Sequence, residues 1–396
     1  MRGTRVGCGR IGRAAVVIAW LALSACGHSI DVGGGTPLPP PGPQFLYATN
    51  SADGTVSVFT VDHKNGNLTF VQSVSAGGPG AMGIASSSGG RHLYVANETH
   101  SLILGFNIAS KTGLLTPTSQ GSVSTGAGTG PLALNVPPIG TRLYAVDTLK
   151  QQIFSYSISR SSGVLKALPN SPTPPALTNE KLVSITTASA SQEVYVADRN
   201  HGIIVGYPVN SDGSLNASGA ASIGSLGSSG SGEPMWLSND PAGGNNIFDA
   251  DALGGPGGSV SVFSVGVGGS LVPVGVFSVG HTINFPLSLT LSPTLPFLYT
   301  ANGASGDVTN FSILSGGALS RDSKFQTPFP NASSIAIDTG GNFSFVLDPP
   351  DALIFQNSIN ATTGEFSVLA PAIPTENPAN PAAAPFQIIV IRTPST

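Results

Sequence analysis

Seven times along the chain a glycine is followed two residues later by a large apolar residue. The pairs are Gly66/Leu68, Gly113/Leu115, Gly163/Leu165, Gly213/Leu215, Gly269/Leu271, Gly317/Leu319 and Gly364/Phe366. The glycines stand 47, 50, 50, 56, 48 and 47 residues apart. A recurrence of about 40–50 residues built from short strands is the period of a propeller, one blade to each repeat. Upstream of every pair runs a β-branched and aromatic stretch that stops on Asn or Asp, a turn residue. The copies lie at 46–50, 93–97, 143–147, 194–198, 247–251, 298–302 and 344–348. In the clearest unit, 91–115, Leu93-Tyr94-Val95-Ala96-Asn97 is followed by an apolar run at 102–108, a polar turn at Lys111-Thr112-Gly113, and a new run from Leu115. No helical period interrupts it.

A further strand precedes each copy, as in Leu287-Ser288-Leu289-Thr290-Leu291 and Ser334-Ile335-Ala336-Ile337. Small, alternating residues suit the crowded strand around a central channel. The expected fold is therefore all-β, a seven-bladed β-propeller of four-stranded blades. The chain enters the first blade at Phe45, on a second strand, so that blade lacks an inner one. Phe386-Gln387-Ile388-Ile389-Val390-Ile391 near the C-terminus supplies it and closes the ring, which removes open sheet edges.

Residues 1–25 read as a targeting segment. Arg2, Arg5, Arg10 and Arg13 precede an apolar stretch at 14–23, too short to cross a bilayer. Leu23-Ser24-Ala25-Cys26 resembles a bacterial lipobox, which implies cleavage before Cys26 and lipid attachment to its thiol. The expected location is the cell envelope, with the membrane engaged through the lipid anchor at Cys26. Gly27 is not the aspartate that favours inner-membrane retention, so an outer-membrane destination is allowed. Residues 26–44, rich in glycine and proline, form a tether, and 45–396 form the propeller. Cys8 and Cys26 are the two cysteines, which excludes an internal disulfide, a cysteine-ligated metal and a thiol nucleophile from the mature domain. Charged residues make up 9% of the chain and the net charge is −4, which leaves no basic field for nucleic acid. A monomer without cofactor is expected.

Ionisable side chains gather where the repeated strands end and the inner strands begin. That rim should carry Glu98, His100, Asp147, Lys150, Asp198, Arg199, His201, Glu233, Asp249, Asp251, His281, Asp348 and Asp351. In so weakly charged a chain this bias marks the functional face. Asp147, Asp198 and Asp348 replace the Asn50, Asn97 and Asn302 of other repeats and are expected to cap turns. Asp249 and Asp251 beside a glycine-rich loop suggest calcium, but two carboxylates fall short of the six to eight oxygens it takes. The histidines show no metal-ligand spacing, and no metal site is expected. Glu233-Pro234-Met235-Trp236 leads into an inner strand, which places Trp236 near the channel mouth, packed between blades or stacked on a ligand.

The LYVAN-type strands, the Ser292-Pro293 turn and the Gly-x-Leu turns together resemble the seven-bladed lactonase-like propellers. That group includes the 6-phosphogluconolactonase type and the muconate cyclases and is close to the YVTN-repeat proteins. The resemblance implies a propeller over 45–396 and lactone hydrolysis. Active members of the family carry Gly-Pro-Arg-His before an inner strand and Asn-Glu-Leu after the next one. Here Asn97-Glu98 matches the second motif in part, while the first reads Gly78-Pro79-Gly80-Ala81-Met82 and lacks the Arg-His pair. A phosphorylated substrate also calls for clustered cations, whereas the rim offers only Lys150, Lys181 and Arg199, scattered across blades. The reading from sequence is therefore an envelope propeller that binds a small molecule or protein, with Trp236, Arg199 and His201 as candidate ligand contacts. The alternative is a lactone hydrolase with a diverged site, in which Glu98, Glu233 or His281 activates water.

Overall fold

In a computed structural model, the described residues are 42–188, 193–225, 232–240, 245–252, 257–280, 285–326, 329–375 and 384–394. The leader, Cys26, most of the tether and His281 lie outside them, as do residues 226–231, 253–256 and 376–383.

Seven antiparallel sheets of four strands follow one another along the chain. Blade 1 comprises, from the inside outward, Pro385–Arg392, Gln44–Asn50, Thr55–Val61 and Leu68–Ser75. Blade 2 is Ala81–Ser86, His92–Asn97, Leu102–Ile108 and Leu115–Ser124. Blades 3 to 7 begin on the inner strands Pro131–Asn135, Leu182–Thr187, Pro234–Asn239, Pro286–Leu291 and Ser334–Ile337. The C-terminal strand closes the ring as expected, with Phe45 opposite Ile391 and Tyr47 opposite Ile389. The first strand begins one residue early, at Gln44. The side chain of Gln44 accepts a hydrogen bond from Thr339 N at 2.8 Å, which ties blade 1 to blade 7 and holds that residue in the sheet.

The core is not a single centre but seven apolar seams, one at each junction between blades. Both faces of each second strand are therefore covered, and most of these strands are buried along almost their whole length. That explains why they read as continuous apolar runs instead of alternating ones. Between blades 1 and 2, Phe45, Tyr47 and Val58 meet Leu93, Phe106 and Leu115.

The two sequence signatures of the repeat meet at these seams. Tyr47 donates from its hydroxyl to the carbonyl of Gly113 in the next blade (2.9 Å). Tyr94 reaches Gly163, Tyr144 reaches Gly213, Tyr195 reaches Gly269 and Tyr299 reaches Gly364 in the same way, at 2.8–2.9 Å. Phe248 and Phe345 occupy the equivalent places in blades 5 and 7 without a hydroxyl. The turn glycine is needed twice over. Gly113 has φ +71°, and a Cβ there would stand 2.3 Å from Cδ1 of Phe45. His92, Arg142 and Glu193 lie under Gly163, Gly213 and Gly269 in the same way, so the glycine-turn rim carries more ionisable groups than its turns suggest.

Burial raises the phenol pKa of Tyr47, Tyr94 and Tyr299 well above the ordinary value of about 10. Their folded pKa exceeds the unfolded one, so the stability they contribute is complete below about pH 10 and falls as the pH rises beyond it. Base titration followed by phenolate absorbance and circular dichroism should show these phenols ionising only with loss of sheet signal. Smooth ionisation in a chain that keeps its native dichroism would contradict the latches.

Candidate functional site

The inner strands enclose a cavity of about 640 Å³ along the propeller axis. Its wall is largely apolar, with amides and hydroxyls of Asn135, Thr186, Asn239 and Gln387 spaced around it. Arg199 is the one ionic side chain among the described lining residues.

Arg199 follows the second strand of blade 4, Glu193–Asp198, and its N–H bonds the carbonyl of Lys181 at 2.9 Å. Glu233 precedes the inner strand of blade 5. Its N–H donates to Oδ1 of Asp251 at 2.7 Å, while its carbonyl accepts from Ala252 N. Across this junction the guanidinium of Arg199 donates through Nε (3.0 Å) and Nη2 (2.5 Å) to Oε2 of Glu233. Each side chain keeps about a third of its surface exposed. The pair is thus held from its backbone, and its arginine lines the cavity.

Trp236 meets the packing expectation. It packs on the apolar seam between blades 5 and 6 and also lines the cavity, three residues past Glu233. His201 is bound differently: its Nδ1 lies 2.5 Å from Oδ2 of buried Asp198, beside Arg199 but not on the cavity wall. Glu98 stands at the blade 2–3 junction, where its Oε1 accepts from Oγ1 of Thr148 at 2.8 Å, and it does not line the cavity. The structure therefore places Arg199 and Trp236 on the cavity wall, with Glu233 behind them as the ion-pair partner of Arg199, and leaves Glu98 and His201 off that wall.

The turn-cap expectation holds for two of the aspartates. Asp147 Oδ1 accepts from Gly130, Leu149 and Lys150 N–H groups, and Asp198 Oδ1 from those of Lys181 and Asn200. Asp249 corrects its placement on the rim. It lies in mid-strand, opposite Leu237 and Ser261, with no exposed surface. Burial drives its carboxyl well above the usual carboxylate range, and the charge of Asp251 adds to the effect. The channel amides were missed from sequence, because a short polar residue in a strand does not announce which face it takes. Among the described residues no three or more His, Cys, Asp or Glu side chains converge as for a metal, and no helix is long and apolar enough to cross a membrane.

Known proteins share this architecture. The model of the lactonase family, described as a seven-bladed β-propeller, matches residues 41–127 and 118–227. A 6-phosphogluconolactonase from Pectobacterium carotovorum is 29% identical over 134 residues, which is 32% of this chain and 39% of that protein. The corresponding protein of Pectobacterium atrosepticum is 28% identical over the same shares, so the match spans about two fifths of these relatives. A candidate 6-phosphogluconolactonase from Bacteroides fragilis superimposes with a TM-score of 0.71 at 15% identity, over 88% of this chain and 98% of its own. The periplasmic gluconolactonase of Pseudomonas aeruginosa gives 0.69 at 15% identity, over 89% and 99%. At these identities the two structures attest the fold alone. The blade count and the ring closure make this chain a seven-bladed β-propeller, and over residues 41–227 it is similar to the lactonase family.

Proposed function

We propose that the chain hydrolyses neutral, unphosphorylated lactones in its central channel. The observation that carries this reading is the Arg199–Glu233 ion pair, whose arginine is the one ionic side chain among the described residues of the cavity wall. Ring opening of a lactone needs a base to take a proton from water as it adds to the carbonyl carbon. It also needs a donor for the oxygen on which charge develops. In this reading Glu233 is the base and Arg199 the donor, while Trp236 and the apolar wall receive the ring. Water's oxygen bonds to the carbonyl carbon, the ring C–O bond breaks, and the proton passes to the departing alkoxide, giving a hydroxy acid.

The Pectobacterium relatives are 6-phosphogluconolactonases by name. A phosphoryl group, however, calls for several converging cations, and the described lining offers Arg199 alone, already bound to Glu233. The Pseudomonas aeruginosa neighbour, named a gluconolactonase, lends the unphosphorylated reading support by analogy of fold only. A pH-stat assay against sugar and aliphatic lactones, with and without phosphate, tests the proposal. Acid release from neutral members and none from phosphorylated ones is expected. Saturable quenching of Trp236 fluorescence with no acid release would instead make the channel a binding pocket.

The leader and Cys26 extend this proposal to a lipid-anchored envelope enzyme. Fatty-acid labelling of cells should mark the wild-type chain in the membrane fraction, and Cys26→Ser should remove both label and anchorage. A wild-type chain recovered unlabelled would refute the anchor.

A further inference from the structure

A buried polar contact recurs between the two central strands of a blade. In blade 1, Asn50 Nδ2 donates to Thr55 Oγ1 and Ser57 Oγ, both at 2.9 Å. In blade 6, Asn302 Nδ2 donates to Asp307 Oδ1 at 2.7 Å and Thr309 Oγ1 at 2.9 Å. Both asparagines are fully buried, and each places an amide NH₂ between two oxygens of the adjoining strand. The amide is what makes so many buried oxygens compatible.

Blade 5 keeps the oxygens and lacks the amide. Asp251 stands at the asparagine position, paired with Ser259, and Asp249 is paired with Ser261. Asp249 adds a second carboxylate where blade 1 has Ala48 and blade 6 has Thr300. Residues two apart on one strand share a face, so the four side chains point to the same side of the blade. All four are at most 1% exposed. Both carboxylate oxygens of Asp249 and the hydroxyls of Ser259 and Ser261 have no hydrogen-bond partner. Buried polar atoms are ordinarily paired, so such a concentration of acceptors asks for an absent donor or cation.

We propose that Asp249, Asp251, Ser259 and Ser261 hold a hard divalent cation in the place that the asparagine amide fills in blades 1 and 6. The set is all oxygen, with no nitrogen or sulfur, which suits Ca²⁺ rather than Zn²⁺. Two carboxylates, each able to bind through both oxygens, and two hydroxyls approach the minimum of about six oxygens that Ca²⁺ takes. The two negative charges offset those of the ion, which removes the uncompensated buried charge. The site has a consequence for the channel mouth, because Asp251 also holds the backbone of Glu233. It does not depend on the chain being a lactone hydrolase.

The test is Ca²⁺ titration of the intact chain, stripped with EDTA, by calorimetry and by thermal melting. Wild type should bind one ion, and its melting temperature should rise with Ca²⁺ concentration. Asp249→Asn should lose both responses. Asp251→Asn restores the amide of blades 1 and 6, so it should fold, bind no ion and melt at a temperature indifferent to Ca²⁺. Wild type that shows no saturable binding and is unmoved by EDTA would overturn the proposal, and Asp249 would then be neutral through a proton of its own. Binding that survives in both variants would also overturn it, by placing the ion elsewhere.

Discussion

A chain ending before Pro385 should fail to form the native propeller, not merely lose a strand. The segment Pro385–Arg392 is the inner strand of blade 1, paired along Gln44–Asn50. Ile388 belongs to the seam between blades 7 and 1, and Ile391 to the seam between blades 1 and 2. Gln387 accepts from Ile84 N in blade 2, and Ile388 N donates to Ser334 Oγ in blade 7. Thr393 continues the bridge by donating to the carbonyl of Ser110 at 2.6 Å. One strand therefore fastens three blades. Removing a buried isoleucine costs about 2–5 kcal/mol once the cavity is counted. Two such losses approach the whole stability of an ordinary domain, about 5–15 kcal/mol, before the exposed edge of blade 1 is considered. The truncated chain is expected to aggregate or to bind a hydrophobic dye without a cooperative melt. The milder Ile388→Ala/Ile391→Ala pair should stay folded but unfold at clearly lower urea. A soluble truncated chain with a wild-type melt would show that the ring does not need its tail.

Much of this architecture can be read from the residues alone, because a repeat amplifies weak local signals. One Gly-x-Leu turn says little, whereas seven at a near-constant interval give the blade count. The missing inner strand of the first blade and the surplus strand at the C-terminus then have one solution. The contacts between blades are a different matter. Each tyrosine latch joins residues 65 to 74 positions apart, and nothing near Tyr47 in sequence points to Gly113. The candidate site shows the same limit. Arg199 and Glu233 are separately visible as rim residues, one a possible ligand contact and the other a possible base. Their ion pair arises because the end of one blade's second strand lies beside the start of the next blade's inner strand. Glu98 shows the converse, since a two-residue match to a family motif led to a side chain bonded to Thr148 and off the channel wall. Asp249 was misplaced because its strand, Asn246–Asp251, ends in acidic residues like a loop, although both aspartates point into a blade junction.

Replacing Glu233 by Gln should abolish lactone turnover while leaving the propeller intact. The substitution conserves shape and leaves an acceptor for the Arg199 guanidinium, but takes away the carboxylate that accepts water's proton. A positioned general base contributes about 10²- to 10⁴-fold, so kcat should fall by that factor with KM little changed. Folding should be nearly unaffected. The partly exposed Arg199–Glu233 pair is worth no more than about 1 kcal/mol to stability, and the bond to Asp251 uses the backbone N–H of residue 233, which survives the change. Arg199→Gln should lower kcat as well, and the double substitution should cost little more than the larger single one, because base and donor act on the same transition state. A melting temperature within a few degrees of wild type would separate lost chemistry from lost structure. Full turnover in Glu233→Gln would remove the base from this residue and with it the proposed route, since no carboxylate stands among the described residues of the channel wall and Glu233 is the one bonded to its arginine.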